Sequence, residues 1–166
     1  MKITIYTDGS SRGNPGKGGW SAIIMTPEEV IELGGREDHT TNNRMELMGA
    51  IKGLKEVEDK KSKVESVEVC TDSQYVKKGM TEWIDGWIKK DWKGANKKKV
   101  LNQDLWETLK KEEDRLKNGG VKIFWKYVKA HAGVVMNERA DTIATMCADD
   151  DANLELYRGE RKDYSV

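Results

Sequence analysis

The chain has 166 residues with 29 basic and 29 acidic side chains and a formal net charge of zero, the size of one domain with a sizeable core and no bulk charge that announces a nucleic-acid partner. Cys70 and Cys147 stand far apart with no Cys-x-x-Cys pair or histidine cluster, which argues for a reduced compartment and against structural zinc. The opening MKITIYTD lacks the apolar core of a signal peptide and no segment nears the roughly 18 apolar residues of a membrane span, so the expectation is a cytoplasmic protein with no membrane partner.

Residues 2 to 8 alternate Ile3, Ile5 and Thr7 with Thr4, Tyr6 and Asp8 and read as a strand ending at the aspartate. The glycine-rich TDGSSRGNPGKGGW follows from residue 7. It is no Walker loop: Ser11 stands where the first glycine belongs, and Gly18 where Ser or Thr must follow Lys17. Trp20–Thr26 and Glu29–Gly34 read as two further strands, completing an antiparallel meander. From Asn43 to about Lys60 the period becomes helical, with Leu47, Ala50, Ile51, Leu54 and Val57 on one face.

Val67–Thr71 is a short strand, followed by Asp72 and a helical stretch in which Gly79 reads as a break. Helical segments follow at Thr81–Lys90 and Asn102–Lys117, the second ending at Asn118-Gly119-Gly120. Val121–Lys129 alternates like a strand, and Asn137–Ala148 places Ala140, Ile143, Ala144 and Cys147 on one helical face. The order βββ, α, β, ααα, β, α predicts an α/β fold with a mixed sheet and packed helices. Residues 149–166, opening on acidic side chains, read as a loosely held tail.

Four carboxylates then demand an explanation. Asp8 and Asp72 end the first and fourth strands and meet at one rim if those strands are neighbours. Glu46 and Asp141 flank the apolar stripes of the first and last long helices, at positions that can face the same rim. Clustered carboxylates stay ionised only with a compensating cation, and hard oxygen ligands suit Mg²⁺ or Mn²⁺ beside a phosphodiester. Each acid also has a plainer role. Glu46 completes a capping box with Asn43, Asp72 caps the next helix, Asp8 starts a turn, and Asp141 is a solvated charge.

In order and at fitting distances, TDGSSRGNPGKGGW, TTNNRMELMGAI, TDSQYV, KAHAG and NERAD resemble the motifs of type 1 ribonuclease H, especially its bacterial form, from about Lys2 to Ala148. The resemblance implies a ribonuclease H-like fold with a five-stranded mixed sheet, three antiparallel strands then two parallel, and helices on both faces. It implies a catalytic domain over 1–148 with a basic protrusion at about 77–100, leaving 149–166 as an acidic C-terminal tail. Asp8, Glu46, Asp72 and Asp141 match the catalytic metal-binding carboxylates, for two Mg²⁺ ions with substrate bound or Mn²⁺ in their place. His131 matches a loop histidine that assists proton transfer or product departure.

The implied substrate is an RNA/DNA hybrid, acted on by a monomer that hydrolyses the RNA strand to 3′-hydroxyl and 5′-phosphate ends. Asn14, Asn42, Asn43 and Gln74 match residues that reach the minor groove, where amides suit 2′-hydroxyls, and backbone at Gly9, Ser10 and Ser11 would lie against the sugar edge. Thr41 and Asn102 match a DNA-phosphate pocket. Trp83, Trp87 and Trp92, among Lys77, Lys78, Lys89, Lys90 and Lys93, match the protrusion; from Lys77 to Lys99 eight lysines face three acids, a local charge of 8 − 3 = +5. Trp83 and Trp87 are also one helical turn apart, as a packing pair would be.

His39 stands where the family often has arginine, and Ala130 where glycine is usual before His131. Two rivals remain: a hybrid-binding module that does not cleave, and a DNA-acting nuclease of the same fold.

Overall fold

In the computed structural model, which describes residues 1–166, the alternating N-terminal residues form β1 (Lys2–Ser11), with Ile3, Ile5 and Thr7 buried. Two antiparallel partners follow, β2 (Gly16–Met25) and β3 (Glu29–Thr40). After α1 (Asn42–Glu58), β4 (Ser66–Thr71) returns parallel to β1. α2 (Gln74–Lys78), a π turn (Gly79–Trp83), α3 (Ile84–Lys89) and α4 (Gln103–Asn118) precede β5 (Lys122–Tyr127), which is parallel to β4. α5 (Val135–Ala148) and β6 (Arg158–Glu160) come last, giving the sheet order β5-β4-β1-β2-β3-β6.

Strand alternation sorts the core onto two faces. Ile5, Ala22, Ile24, Ile31, Val67 and Val69 pack with Leu47, Leu54 and Val57 of α1 and Trp106, Leu109 and Leu116 of α4. Ile23 and Val30, one residue out of phase, pack on the other side with Ala140 and Ile143 of α5. Removing each large side chain from water stabilises the fold by about 1.5–3 kcal/mol. The expected five strands and two helical layers are present.

Two expectations change. Gly79 is no break: helical backbone runs through it, and it is glycine because an added Cβ would sit 2.0 Å from the buried Trp106 ring. The chain after α5 is not loosely held. It supplies a sixth strand, with Val30 opposite Gly159 in the β3–β6 pair, and it brings Tyr157 and Tyr164 against each other at 5.0 Å between ring centroids.

Candidate active site

The register of the parallel pair β1–β4 sets Thr7 beside Thr71, so Asp8 and Asp72, the next residues on each chain, emerge together at one end of the sheet. Glu46 reaches them from the second turn of α1. That approach depends on Gly9, where an added Cβ would lie 2.2 Å from the Glu46 backbone nitrogen. Glycine here admits the helix, a role in the protein interior that the expected approach to a sugar edge did not foresee.

The plainer roles of three acids are excluded. Thr41 caps α1, its hydroxyl accepting from the Arg44 N–H at 3.3 Å, and Glu46 is 5% exposed, turned inward from the helix end. Ser73 caps α2, accepting from the Val76 N–H at 3.1 Å, so Asp72 is free of that task. Asp8 is paired within β1 opposite Ser21 and starts no turn.

One carboxylate oxygen from each of Asp8, Glu46 and Asp72 lies within 4.8 Å of the others. Asp141, from α5, stands outside this trio yet close enough for its carboxylate to raise both Asp8 and Asp72. Burial, the Asp72 charge and Asp141 together push Asp8 up to about 9. Glu46 is raised well above the usual carboxylate range, by burial first and then by the charges of Asp8 and Asp72. Asp72 is raised by burial, while the neighbouring Asp8 and Asn137 favour its ionised form.

Such a cluster holds protons at neutral pH unless a cation replaces them. Glu46 Oε2 is buried without a partner, an unsatisfied hard donor aimed among other carboxylates. An all-oxygen set of this kind fits Mg²⁺ or Mn²⁺ and offers nothing to a thiophilic ion.

His131 is exposed, with φ 55°, and its charge lowers Asp72. Asn14 and the start of α1 are joined, Asn14 Oδ1 accepting from the Asn42 N–H at 2.9 Å; Asn42, Asn43 and Gln74 are exposed. Ser11 Oγ bonds Gly13 O at 2.6 Å within the same hairpin, while Ser10 lies opposite Gly19 in the β1–β2 pair. Asn102, at φ 62°, donates to the Tyr75 hydroxyl at 3.1 Å and accepts from Arg44 Nη1 at 3.3 Å, linking it to the helix that Thr41 caps.

The tryptophans pack as a continuous aromatic chain. Trp83–Trp87, Trp87–Trp92 and Trp87–Trp106 have centroids 5.8, 6.2 and 5.3 Å apart. Trp87 and Trp92 lean on the core, and Trp83 stays exposed beside an open cleft of about 750 Å³ lined also by Lys90, Lys93 and Lys97. Lys89 and Lys90 are exposed at the end of α3.

Sequence reasoning missed Asn137 and Arg44. Asn137 is 3% exposed and is among the groups that hold Asp72 down toward its ionised form; the available signal was its place one helical turn before Asp141. Arg44 is held bidentately by Asp104 at 2.9 and 2.8 Å, a pairing no local spacing announces.

A family model described as RNase H matches residues 1–149. The chain belongs to the ribonuclease H family. It is 48% identical over 147 residues to a ribonuclease H of Solibacter usitatus, covering 89% of this chain and 94% of that one. It is also 48% identical over 143 residues to ribonuclease HI of Caulobacter vibrioides, covering 86% of this chain and 90% of the other. Among solved structures, LC9-RNase H1, a type 1 RNase H with the type 2 active-site motif, superposes with a TM-score of 0.76 at 27% identity over 94% of this chain and 76% of its own. The α/β ribonuclease H-like architecture is thus shared with the family, the sheet here having six strands.

Proposed function

We propose that this ribonuclease H is an endonuclease that hydrolyses the RNA strand of RNA/DNA hybrids at the Asp8, Glu46, Asp72 and Asp141 cluster, leaving 3′-hydroxyl and 5′-phosphate ends. The observation that carries this reading is the convergence of three carboxylate oxygens within 4.8 Å at the end of the parallel strands, one acid having an unpartnered buried oxygen. Divalent ions, two with substrate bound, supply the charge that lets these acids ionise and the Lewis acidity that phosphodiester hydrolysis needs.

The chain's own groups do the rest. Asp8, Glu46, Asp72 and Asp141 would hold the ions, and the buried Asn137, which favours the ionised form of Asp72, would orient that carboxylate. His131, exposed beside Asp72 on a glycine-containing loop, carries a proton to or from the departing product.

Asn14, Asn42, Asn43 and Gln74 present amides to the 2′-hydroxyls of the minor groove, beside the backbone of Gly9, Ser10 and Ser11. Thr41 and Asn102 receive a phosphate of the DNA strand, the two joined through Arg44, whose backbone N–H bonds Thr41 and whose guanidinium bonds Asn102 while paired with Asp104. Lys89, Lys90, Trp83, Trp87 and Trp92 of the 77–100 protrusion receive the DNA backbone further along, with 1–148 as the catalytic unit and the protein acting as a monomer.

Purified protein incubated with Mg²⁺ and labelled RNA/DNA hybrid, duplex DNA and duplex RNA tests the proposal. Cutting of the RNA strand of the hybrid alone is expected. Cutting of DNA would establish a different nuclease, and retention of hybrid without cutting would establish a binding module.

A further inference from the structure

Residues 155–164 lie beyond the segment that the family model matches, yet they are tied to the helix that carries Asn137 and Asp141. Glu32 of β3 is 4% exposed and accepts four hydrogen bonds. Arg139 donates from Nε at 2.8 Å and from Nη2 at 2.9 Å, the Tyr157 N–H at 2.9 Å, and the Tyr164 hydroxyl at 2.7 Å. Arg139 Nη2 also reaches the Glu155 carbonyl at 3.0 Å. A buried carboxylate filled by a bidentate guanidinium and two further donors is a rigid joint, because losing any donor leaves charge unsatisfied in a low dielectric.

The joint lies on the far side of α5 from the chemistry. Asn137 and Asp141 are one turn apart on one face, and Arg139, about 200° round from Asn137, leaves by the opposite one. At its C-terminal end the same helix is fastened by Arg12, which grips Asp149 at 2.7 and 2.6 Å. A side-chain tip rides about 5 Å from a helix axis, so a roll of roughly 20° would displace Asp141 by about 2 Å. Misplacements of about 1 Å at a reacting centre suffice to lose about a hundredfold in rate.

We propose that Glu32, Arg139 and Tyr164 are positioning residues, and that the C-terminal segment is a clamp fixing the rotation of α5 so that Asn137 and Asp141 face Asp72 and Asp8. This rests on the metal-dependent cleavage proposed above. The partners act through α5 and touch neither ion nor substrate.

The test compares full-length wild type with Tyr164→Phe, which deletes one donor, and Arg139→Lys, which keeps the charge and loses the fork. Tyr157→Phe leaves all four bonds to Glu32 in place, since Tyr157 contributes its backbone N–H. Leu116→Ala in the α4 core serves as a control for lost stability alone. Three quantities are measured well below each melting temperature: Mn²⁺ affinity by calorimetry without substrate, the Mg²⁺ concentration for half-maximal hybrid hydrolysis, and amide hydrogen exchange along α5.

Tyr164→Phe and Arg139→Lys are expected to weaken ion affinity by roughly tenfold and to speed exchange over residues 137–144. Tyr157→Phe and Leu116→Ala should leave ion affinity at the wild-type value. Wild-type ion affinity and α5 exchange in both joint variants, with only a lowered melting temperature, would overturn the proposal. If wild type itself neither binds Mn²⁺ nor cuts hybrid, the functional reading fails, and α5 exchange in Tyr164→Phe still decides whether the clamp exists.

Discussion

Asp8 concentrates the electrostatic tension of the molecule. Its carboxyl is moved from 3.8 to about 9 by burial, the Asp72 charge and Asp141, so the folded chain keeps a proton there that the unfolded chain has released. The sign follows: this contribution to stability is fully present below about pH 4 and is lost as pH rises toward 9. Metal-free protein should therefore melt at progressively lower temperature across that window, with Mg²⁺ restoring stability most at the alkaline end. Asp8→Asn removes the repulsion and, on the proposed function, a metal ligand together. It is expected to abolish cleavage, keep hybrid binding, and raise the metal-free melting temperature at pH 8 by several degrees, at roughly 2–4 °C per ~1 kcal/mol for a chain of this size. Calorimetric melts and a filter-binding assay check both halves, and normal turnover by the variant would contradict the assignment of Asp8.

At the scale of elements, the site is a junction: one strand end beside another, with α1 and α5 brought to the same rim. Gly9 is where α1 meets β1, and Gly9→Ala forces a Cβ to within 2.2 Å of the Glu46 nitrogen and 2.4 Å of the Met45 carbonyl carbon. Backbone on both sides cannot yield as a side-chain tip would. The variant should lose about 3 kcal/mol in urea melts and about a hundredfold in kcat; wild-type values for both would show that α1 adjusts without moving Glu46.

The strands and long helices were legible because alternation at Ile3, Ile5 and Thr7, and the stripe through Leu47, Leu54 and Val57, report burial directly. Asp8 and Asp72 were legible as neighbours only on the condition that their strands pair, which the β1–β4 register meets. Gly79 misled because a glycine required by Trp106, distant in sequence, looks locally like a helix break. The joint at Glu32 was illegible for the same reason: its donors come from residues more than a hundred positions away, and no local period encodes that.

The whole molecule carries no net charge, so its hold on a polyanion must come from local patches. Eight lysines lie between Lys77 and Lys99 against three acids; Lys89, Lys90 and Lys93 are exposed, and Lys90 and Lys93 line the cleft beside Trp83. Replacing these three by alanine should weaken hybrid binding for every sequence alike and flatten the plot of log affinity against log salt by about one unit for each phosphate left unneutralised. Titrations at several salt concentrations measure that slope, and an unchanged slope would remove the protrusion from the interface.

The chain order of the four acids has a further consequence for synthesis. Asp8, Glu46 and Asp72 leave the ribosome first, while Asp141 follows only after α4 and β5, and Tyr157 and Tyr164, the last donors to the Glu32 joint, emerge later still. A nascent polypeptide, or one terminated before α5, thus carries the Asp8, Glu46 and Asp72 trio without the fourth acid, and on the clamp proposed above the rotation of α5 is fixed only once the C-terminal segment has been made.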